Sequence, residues 1–472
     1  MRPYSVLSVA RAFSSLLLSS ALLAGAFSCG GDNSVTPPPQ GGTSPPQGGT
    51  SPQVGAVVIT EPATALAQMR PTQLTATLVS TTGQSLGSEI VRWSSLDMRF
   101  ASVDSLGVVM PLKPGRARIV AAAGAVADTV ELTIHVRWLD LALSSSWSVA
   151  CGIAADSTAY CWGARVGASD STSIPLEVPG GHHFHAIDVA ANAACAIDGS
   201  GRVFCWGANG WGQLGDGSRI NSSVPVLVND VNDAELIATG EGYACASTTD
   251  GTILCWGHDD FGQIGDGTSN SDDVRPPTRV DGVPRPSKLT LGALHACALG
   301  VDGSAYCWGS SQWGLLGAAT SQYASTALRA AGTMSFRDIA ASTYLSCGAA
   351  STGGVYCWGL YGGNTSTPQL QPGTESITSI AVSSVSGAHL CGLGPTGVLC
   401  WTSAGSITNS APSPTYIAGS QAFVRIRAAE VATCALTRDG EAFCWGENLA
   451  GVLGNGTFVD SPTPTLVADP LT

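Results

Sequence analysis

The stretch Cys245–Gly257, which reads Cys-Ala-Ser-Thr-Thr-Asp-Gly-Thr-Ile-Leu-Cys-Trp-Gly, decides the fold. Two apolar segments flank its Asp-Gly pair, which is the strongest short-range signal for a β-hairpin. The two cysteines lie symmetrically about this turn. A hairpin therefore places them opposite each other on neighbouring strands, within reach of a disulfide bond. The stretch predicts a hairpin closed by its own disulfide.

This hairpin pattern recurs along the chain. Of the 15 cysteines, fourteen form seven couples, six separated by ten residues and one by nine, and successive couples begin 43 to 52 residues apart. Internal repeats with such a period are typical of propeller blades, so the seven couples predict seven blades. The couples are Cys151 with Cys161, Cys195 with Cys205, Cys245 with Cys255, Cys297 with Cys307, Cys347 with Cys357, Cys391 with Cys400, and Cys434 with Cys444.

Pairing within each couple is the one connectivity that treats all seven repeats alike, although sequence alone does not prove it. On the chain-entropy account, closing a ten-residue loop stabilises the fold by about 2.5–3 kcal/mol, so seven such bonds would stiffen every blade. Metal ligation is the alternative use of so many cysteines. Zinc sites need closely spaced ligands such as Cys-x2-Cys, and none occurs here. We predict seven disulfides, no metal site and no cofactor.

A second repeated segment follows several of the Trp-Gly pairs. It reads Gly-Gln-Leu-Gly-Asp-Gly at Gly212–Gly217, Gly-Gln-Ile-Gly-Asp-Gly-Thr at Gly262–Thr268 and Gly-Val-Leu-Gly-Asn-Gly-Thr at Gly451–Thr457, and a short strand with proline comes after it. Together with the cysteine couples, these loops closely resemble the regulator of chromosome condensation repeat. The resemblance covers residues 138–469 and implies a seven-bladed β-propeller with four strands per blade, to which we assign residues 138–472.

Three repeats depart from this pattern. The first, fifth and sixth lack the glycine-rich loop, and the sixth has Trp401-Thr402 where the others have Trp-Gly. We expect these blades to be looser. The last proline strand, near 464–467, has no hairpin after it. We expect it to pair into the first blade near Leu139–Leu143, because that pairing would remove the open edge of the ring.

Residues 54–137 contain six or seven short apolar runs separated by turn residues, which predicts a small β-sandwich. Within them, Leu74–Thr77, Val91–Ser95, the Ala101–Gly107 hairpin and Lys113–Gly115 resemble the bacterial Ig-like group 2 family. The resemblance implies a spacer or adhesion module rather than an enzyme.

The N-terminus has the composition of an export signal. Residues 1–28 carry arginines followed by an apolar run that is too short for a membrane span, and Cys29 comes directly after them. This pattern resembles a bacterial lipoprotein signal with Cys29 as the lipidated residue, although Phe27 departs from the small residues usual there. The alternative is ordinary cleavage after residues 24–26, which leaves Cys29 as a stray thiol. Residues 29–53 repeat a Pro-Gln-Gly-Gly-Thr-Ser segment, which predicts a disordered tether.

Composition excludes several classes of function. The formal net charge is −13, and 12% of the residues are charged. Nucleic-acid binding needs a basic surface that neutralises phosphates, so the charge balance opposes DNA or RNA as a partner. The sequence contains no His-Glu-x-x-His, Gly-x-Ser-x-Gly or Walker motif, and we predict no catalytic residue. Fifteen cysteines are typical of an oxidising compartment.

Aromatic residues are the candidates for partner binding. Trp211, Phe261 and Trp313 each lie just before a glycine of the loop after the hairpin. Two interpretations are open: the rings pack between blades, or they form an exposed aromatic arc of the kind that anchors a protein partner. The tryptophans after the second cysteines recur once per blade, and we interpret those as core between blades.

Two further clusters have simpler interpretations. His182, His183 and His185 could hold a metal ion, but no carboxylate accompanies them at a telling spacing, and we favour an exposed connection between strands. Residues 266–273 offer oxygens at alternate positions, as calcium loops do. They lack the downstream glutamate, and the repeat already explains their first three residues.

Taken together, the sequence predicts an all-β protein in which an Ig-like β-sandwich precedes a seven-bladed β-propeller. We expect an exported, lipid-anchored protein of the cell envelope, at the outer membrane or the cell surface. It would bind a protein or another envelope component and contact the membrane through its lipid alone. The alternative is an extracellular carbohydrate-active enzyme, a lyase or hydrolase, which would need a polar cluster at one mouth of the propeller channel.

Overall fold

The computed structural model of the chain describes residues 53–60, 63–87, 91–144, 148–164, 166–167, 169–269, 275–320, 322–360, 364–383, 388–403, 415–417, 419, 421–429 and 432–470. Over these residues the regular secondary structure is β-strand apart from one 3-10 helix, Gln312–Gly314, so the predicted all-β class is confirmed. The expected signal at 1–28, Cys29 and all of the 29–53 tether except Gln53 lie outside the described residues. In the described ranges, the helical structure has neither the length nor the hydrophobicity of a membrane span.

The first ten strands build three small sheets, ordered β1-β4-β5, β2-β10-β9-β6 and β3-β8-β7. The strands are β1 (Val54–Thr60), β2 (Ala65–Ala67), β3 (Thr72–Gln73), β4 (Thr75–Ser80), β5 (Ser85–Leu86), β6 (Arg92–Ser95), β7 (Ala101–Val103), β8 (Val108–Pro111), β9 (Gly115–Ala123) and β10 (Val126–His135). β2 pairs with β10 in parallel, and the other pairs described here are antiparallel. This is the expected Ig-like sandwich, built from more and shorter strands than the apolar runs indicated.

The core of the sandwich lies between these sheets. Leu74 and Ile119 are fully buried in one apolar cluster, and Val57 and Leu78 are buried in a second. Trp93 packs against both clusters and joins them. Alternate residues in the middle of β9 are buried, as expected for a strand with one face on a core.

Seven four-stranded antiparallel sheets follow in the described residues, each built from four consecutive strands. We number them blades 1 to 7. Blades 1 to 4 consist of β11 (Trp138–Leu143), β12 (Val149–Ala154), β13 (Ala159–Ala164) and β14 (Ser171–Glu177); β15 (Phe184–Ala190), β16 (Ala193–Asp198), β17 (Val203–Gly207) and β18 (Ser222–Leu227); β19 (Ala234–Thr239), β20 (Tyr243–Thr248), β21 (Ile253–Gly257) and β22 (Arg275–Val280); and β23 (Pro286–Leu291), β24 (His295–Gly300), β25 (Ala305–Ser310) and β26 (Tyr323–Arg329). Blades 5 to 7 consist of β27 (Phe336–Ala341), β28 (Leu345–Ala350), β29 (Val355–Gly359) and β30 (Thr365–Gln371); β31 (Ser379–Ser383), β32 (Ala388–Gly394), β33 (Gly397–Ser403) and β34 (Thr415–Tyr416); and β35 (Phe423–Ala428), β36 (Ala432–Thr437), β37 (Ala442–Gly446) and β38 (Ser461–Leu466).

The seven blades form a closed ring. The first strand of each blade contacts the first strand of the next, from β11 and β15 around to β31 and β35, and β35 contacts β11. The structure therefore confirms the predicted seven-bladed propeller.

The expected pairing of the last strand into the first blade is wrong. β38 pairs with β37 as the outermost strand of blade 7. The segment near Leu139–Leu143 is β11, the innermost strand of blade 1, and it pairs with β12. Among the described strands, none is exchanged across the closure of the ring.

Tryptophan side chains explain why the closure needs no shared strand. The indole Nε1 of Trp256 in blade 3 donates a hydrogen bond of 2.9 Å to the Gln213 carbonyl oxygen in blade 2. The same contact joins Trp308 to Gln263, Trp358 to Leu315 and, across the closure, Trp162 to Val452. Blade 7 therefore packs on blade 1 as other neighbouring blades pack. The tryptophans that follow the second cysteines are all buried, as core residues between blades should be.

This hydrogen bond depends on the glycine-rich loop of the preceding blade. Blades 2, 3, 4 and 7 have a long connection between their third and fourth strands, and each of these connections supplies the carbonyl acceptor. In blade 5, β29 ends at Gly359 and β30 begins at Thr365, which leaves a short connection. In the described structure the buried Nε1 of Trp401 in blade 6 has no hydrogen-bond partner. The hydrogen bond is therefore missing where the loop is missing, while Trp401 itself remains buried.

Each cysteine couple forms a disulfide bond between the second and third strands of its own blade. The two Cα atoms of a couple lie 4.0–4.1 Å apart, and the two cysteines are register partners in the sheet. From blade 1 to blade 7, the bonds join Cys151 to Cys161, Cys195 to Cys205, Cys245 to Cys255, Cys297 to Cys307, Cys347 to Cys357, Cys391 to Cys400, and Cys434 to Cys444. All fourteen cysteines of the repeats are therefore used locally, and none links one blade to another.

The turn of each hairpin sets the separation of its cysteines. In blade 3, Thr248 and Thr252 pair around a three-residue turn that ends at Gly251, whose φ of 89° favours glycine. In blade 6, Gly394 pairs with Gly397 around a two-residue turn. The cysteine separation there consequently falls from ten to nine.

The sandwich contacts the propeller at blade 7 and at the segment that follows its last strand. Arg70 forms an exposed ion pair of 2.7 Å with Asp439, in the turn between the second and third strands of blade 7. Asp469 accepts a hydrogen bond of 2.7 Å from the Val136 N–H, and its second oxygen lies 2.7 Å from His135 Nδ1. We call this end of the blades, which carries turns such as the one at Asp439, the turn face. The opposite end, which carries the loops between third and fourth strands, is the loop face.

Candidate functional site

The loop face is the candidate site, because the connections between third and fourth strands place the predicted aromatic residues there. These connections are longest in blades 2, 3, 4 and 7, between β17 and β18, β21 and β22, β25 and β26, and β37 and β38. Loops held by a rigid propeller are the usual place for binding residues.

A buried asparagine organises the loop of blade 2. Asn209 Nδ2 donates to Asp216 Oδ1 and to the carbonyl oxygens of Ser218 and Ile220, each at 3.2 Å. Its Oδ1 accepts a hydrogen bond of 3.0 Å from the Leu214 N–H. These bonds hold the loop over the blade and fix Leu214 inside the junction with blade 3. Asn209 was not predicted as a site residue, although its place before the glycine-rich segment is a usable signal.

The equivalent position differs in blade 3. Asn448 in blade 7 makes the same kind of bonds as Asn209, but blade 3 has Asp259. Asp259 Oδ1 accepts from the Ile264 N–H at 3.1 Å, while its buried Oδ2 has no hydrogen bond in the described structure. Burial raises the pKa of Asp259 to about 6. Arg275, whose guanidinium lies 3.7 Å from Oδ2, offsets part of the cost of this buried carboxylate.

Trp211 lies across the junction between blades 2 and 3. Its ring packs on His258 of blade 3 with the centroids 4.3 Å apart, and Gly242 is so close that a Cβ there would lie 2.9 Å from the ring. The other side of the ring is open, and the residue is 47% exposed. His258 Nε2 lies 2.9 Å from the Asp260 carboxylate, so an acidic group adjoins the aromatic surface.

Trp313 occupies the same position in blade 4. It packs edge-on against Tyr344 of blade 5 with the centroids 5.2 Å apart, and it is 39% exposed. Its φ of 56° is unusual for a residue other than glycine. Phe261, the corresponding residue of blade 3, is half-buried. The two open interpretations therefore combine in the tryptophans, which pack between blades on one side and face solvent on the other.

Further apolar residues on the loop face were missed by the sequence reasoning. Leu449 in the loop of blade 7 is 81% exposed, and Ile220, Phe458 and Val459 are also exposed. They lie in the glycine-rich connections of blades 2 and 7. An apolar side chain in such a loop, outside any strand periodicity, is the signal that could have identified them. With the tryptophans, they place exposed apolar side chains in the loops of blades 2, 4 and 7.

The three neighbouring histidines have separate surroundings. His182 packs on the ring of Phe204 with the centroids 4.4 Å apart, and His183 Nδ1 lies 3.1 Å from the Asp156 carbonyl oxygen. His185 is exposed. The three histidines, which lie just before β15 and at its start, therefore have different surroundings.

A grouping of metal-ligand type occurs in the described part of the chain at His389, Cys391 and Cys400. The two sulfur atoms are joined in a disulfide, so they are not available as thiolate ligands. His389 Nε2 lies 2.7 Å from Thr433 Oγ1 of blade 7, which gives this histidine a packing role between blades. Residues 270–273 of the acidic loop lie outside the described residues.

Comparison with known families finds matches in both the sandwich and the propeller. The profile of the regulator of chromosome condensation (RCC1) repeat matches residues 200–247, 250–299 and 439–471, and a second RCC1 repeat profile matches 235–263. The profile of the bacterial Ig-like domain (group 2) matches residues 53–134. The chain carries RCC1 repeats and a group 2 bacterial Ig-like domain, so both resemblances inferred from the sequence are confirmed.

Three solved structures illustrate what the chain is similar to. Human WBSCR16 is 18% identical, with 75% of this chain and 89% of that chain covered and a TM-score of 0.46. Yeast RCC1 (Prp20) bound to Kap60 is 19% identical, with 70% and 74% covered and a TM-score of 0.43. The CRINKLY WD40 ectodomain of the Arabidopsis thaliana receptor kinase ACR4 is 20% identical, with 66% and 96% covered and a TM-score of 0.41.

Proposed function

We propose that this chain, which carries RCC1 repeats and a bacterial Ig-like domain, is an exported, lipid-anchored binding protein of the cell envelope. Its parts would be a signal peptide (1–28), a tether (29–53) that starts at a lipidated Cys29, an Ig-like spacer (54–137) and a propeller head (138–472). The head would hold a protein partner on the loop face. A propeller stapled by seven disulfides fits a protein-interaction role in an oxidising compartment.

The observation that carries this proposal is the series of aromatic side chains on the loop face. Trp211, Phe261 and Trp313 occupy the same position in three consecutive blades, and both tryptophans are half-exposed. Aromatic residues contribute most of the binding energy at many protein interfaces. Because the inner sides of the tryptophans already pack against the next blade, their orientations are fixed before a partner arrives. This lowers the entropic cost of binding.

The attachment of the sandwich supports the loop face as the binding surface. The Ig-like sandwich contacts the turn face, at Asp439 and Asp469. The third strand of each blade runs from the turn face to the loop face, so the aromatic residues lie at the end of the blades opposite to these contacts. A spacer attached in this way would present the loop face to a partner.

An affinity capture from the native envelope under non-reducing conditions tests the binding face. We expect the wild-type protein to recover one stoichiometric partner and the triple variant Trp211→Ala, Phe261→Ala, Trp313→Ala to lose it. Val301→Ala is the matched control, because Val301 is an exposed apolar residue on the turn face. Recovery of the partner by the triple variant at the wild-type level would show that the aromatic residues do not form the binding surface.

A separate experiment tests the lipid anchor. We expect the wild-type protein to incorporate a labelled fatty acid and to fractionate with membranes, and we expect Cys29→Ala to lose both properties. Ordinary cleavage after residues 24–26 predicts instead an unlabelled wild-type protein and no change on substitution.

A further inference from the structure

The innermost strands of the seven blades enclose a cavity on the propeller axis. Its volume is about 250 Å³, and residues from the first strand of every blade line it. Pockets for drug-sized ligands have volumes of roughly 300–1,000 Å³, so this cavity fits a smaller molecule. Lys288 and Arg427 in the cavity wall have side chains 32% and 39% exposed, which shows that solvent reaches the site.

On the innermost strand of each blade, one residue is the register partner of the first cysteine of the couple. These seven residues form one level of the cavity. At this level the register places Asp188 in blade 2, Thr290 in blade 4 and Arg427 in blade 7. The other four blades have alanine at this position, namely Ala142, Ala238, Ala340 and Ala381. The small side chains leave space between the two charged residues.

Charged side chains also lie two positions earlier on the innermost strands, and these form ion pairs. Lys288 forms an ion pair of 2.5 Å with Asp338. Arg425 forms an ion pair of 2.7 Å with Asp140, and Arg427 lies 3.8 Å from the same Asp140 oxygen. Two guanidinium groups thus share one carboxylate, and one positive charge at blade 7 has no carboxylate of its own.

Asp188, on the other side of blade 1, forms no direct ion pair in the described residues, and the charge of Arg427 acts on it from a distance. Asp188 Oδ2 accepts hydrogen bonds from the Thr239 N–H at 2.7 Å and from Thr239 Oγ1 at 3.0 Å. None of the ion pairs in the described residues includes Asp188. Burial raises the pKa of Asp188 to about 6, so the carboxylate is mostly ionised at neutral pH. Blade 1, which lies between blades 7 and 2, has Ala142 at this level.

We propose that the axial cavity binds a small zwitterion of the amino-carboxylate class, with the ligand ammonium group on Asp188 and the ligand carboxylate on Arg427. Both contacts would be charge-assisted hydrogen bonds, the strong kind. A ligand with a single charge would contact one of the two groups and leave the other without a ligand contact. The site is separate from the aromatic residues of the loop face and does not depend on their role.

Isothermal titration calorimetry on the wild-type, oxidised protein tests the ligand class without any variant. The probes are glycine, β-alanine, γ-aminobutyrate and 5-aminovalerate, in which the two charges lie progressively farther apart. We expect one member of the series to bind best. Butyrate and butylamine, which carry one charge each, should bind at least about tenfold more weakly, since they lack one charged contact. Absence of binding by all four zwitterions at millimolar concentration, or equal binding of butyrate, would overturn the proposal.

Two variants then test the assigned residues. Asp188→Asn and Arg427→Gln should each weaken the best zwitterion by about 10- to 100-fold, the effect of losing one charge-assisted hydrogen bond. Arg337→Gln is the matched control, because Arg337 lies on an innermost strand but donates to the Ser351 carbonyl oxygen outside the cavity. Wild-type affinity in the Arg427→Gln protein would contradict the assignment even if Asp188→Asn failed to fold.

Discussion

At the scale of single residues, one atom separates Asp259 from the asparagines at the same position of other blades. The Nδ2 of Asn209 is surrounded by acceptors, to which it donates hydrogen bonds. In Asp259 this nitrogen is replaced by an oxygen that has no hydrogen bond in the described structure. A buried polar atom that is left unpaired costs about 1–3 kcal/mol. Blade 3 recovers part of this cost through Arg275, at the position where blade 2 has Ser222.

We expect Asp259→Asn to stabilise the protein by about 1 kcal/mol at pH 7.5, because the amide can donate to the acceptors of the loop. The pKa of Asp259 rises from 3.8 to about 6 on folding, so the folded state binds a proton more readily than the unfolded state. The wild-type stability therefore falls as the pH rises from about 4 to 6. Urea denaturation should show a smaller gain from the substitution at pH 5 than at pH 7.5.

Asn209→Asp is the reverse control in blade 2. It should destabilise the protein at pH 7.5, and by more than Asp259→Asn stabilises it, because blade 2 has Ser222 where blade 3 has the arginine. A loss of stability in Asp259→Asn at pH 7.5 would mean that the pairing with Arg275 outweighs the missing hydrogen bonds.

At the scale of elements, four junctions between neighbouring blades share one contact in the described structure. The earlier blade supplies the loop with its carbonyl acceptor, and the next blade supplies the tryptophan. Trp256 and Trp401 are both buried, but in the described structure only the first has a hydrogen bond for its Nε1. This difference follows the presence of the glycine-rich loop in blade 2 and its absence in blade 5, and the two residues form a natural pair for comparison.

Trp256→Phe should cost about 1 kcal/mol more in unfolding free energy than Trp401→Phe, since it removes a hydrogen bond and leaves the Gln213 carbonyl unpaired. Both substitutions remove a similar volume, so the cavity term largely cancels in the comparison. The measurement is chemical denaturation of the two variants beside the wild type. Equal losses would show that the indole N–H contributes nothing to the junction.

The disulfide bond of blade 3 should contribute measurably to the free energy of unfolding. The double variant Cys245→Ala, Cys255→Ala should lose about 2.5–3 kcal/mol, because the unfolded chain regains the freedom of a ten-residue loop. Hydrogen exchange should accelerate in β20 and β21, the strands that the bond joins. The corresponding variant of Cys391 and Cys400 is a control with a loop one residue shorter, and its entropic loss should be nearly the same. An unchanged unfolding midpoint in both variants would show that the disulfide bonds do not stabilise the blades.

The sequence predicts those elements whose parts lie close together in the chain. The hairpins and their disulfides could be predicted because the strands, turn and cysteines all fall within one short stretch. The way in which the ring closes could not be predicted, because the closing contact joins Trp162 to Val452, which lies 290 residues away in the chain. For the candidate site, the repeat gave the positions of Trp211 and Trp313 but not their exposure, which depends on the turn of the next blade. No sequence pattern indicated the charged residues of the axial cavity, because Asp188 and Arg427 come near each other only when the ring forms.

At the scale of the whole molecule, the buried His295 and the partly buried His389 connect separate pairs of blades. His295 Nε2 lies 2.7 Å from Ser346 Oγ of blade 5, and His389 Nε2 lies 2.7 Å from Thr433 Oγ1 of blade 7. Burial lowers the pKa of each histidine to about 4. Both side chains are therefore neutral in the folded propeller at neutral pH, and they make the ring sensitive to acid.

We expect the propeller to lose stability as the pH falls from about 6.5 towards 4, because the unfolded histidines, with pKa values near 6.5, bind protons that the folded ones resist. The double variant His295→Gln, His389→Gln should keep more of its stability over this range, measured as unfolding midpoints at pH 7 and pH 4.5. Asp188 and Asp259 titrate with the opposite sign, so the comparison is between variant and wild type. Parallel pH profiles would refute the role of the histidines.

The blade 7 to blade 1 junction uses the same tryptophan contact as the other loop-bearing junctions, and among the described strands none is shared across it. The ring therefore has no privileged starting point. A circular permutant of residues 138–472 that opens the chain between blades 3 and 4 and links the end of β38 to the start of β11 should close into the same propeller. Each blade is also formed by one continuous segment of the chain, so a single in-frame duplication or deletion of that segment would add or remove a complete blade.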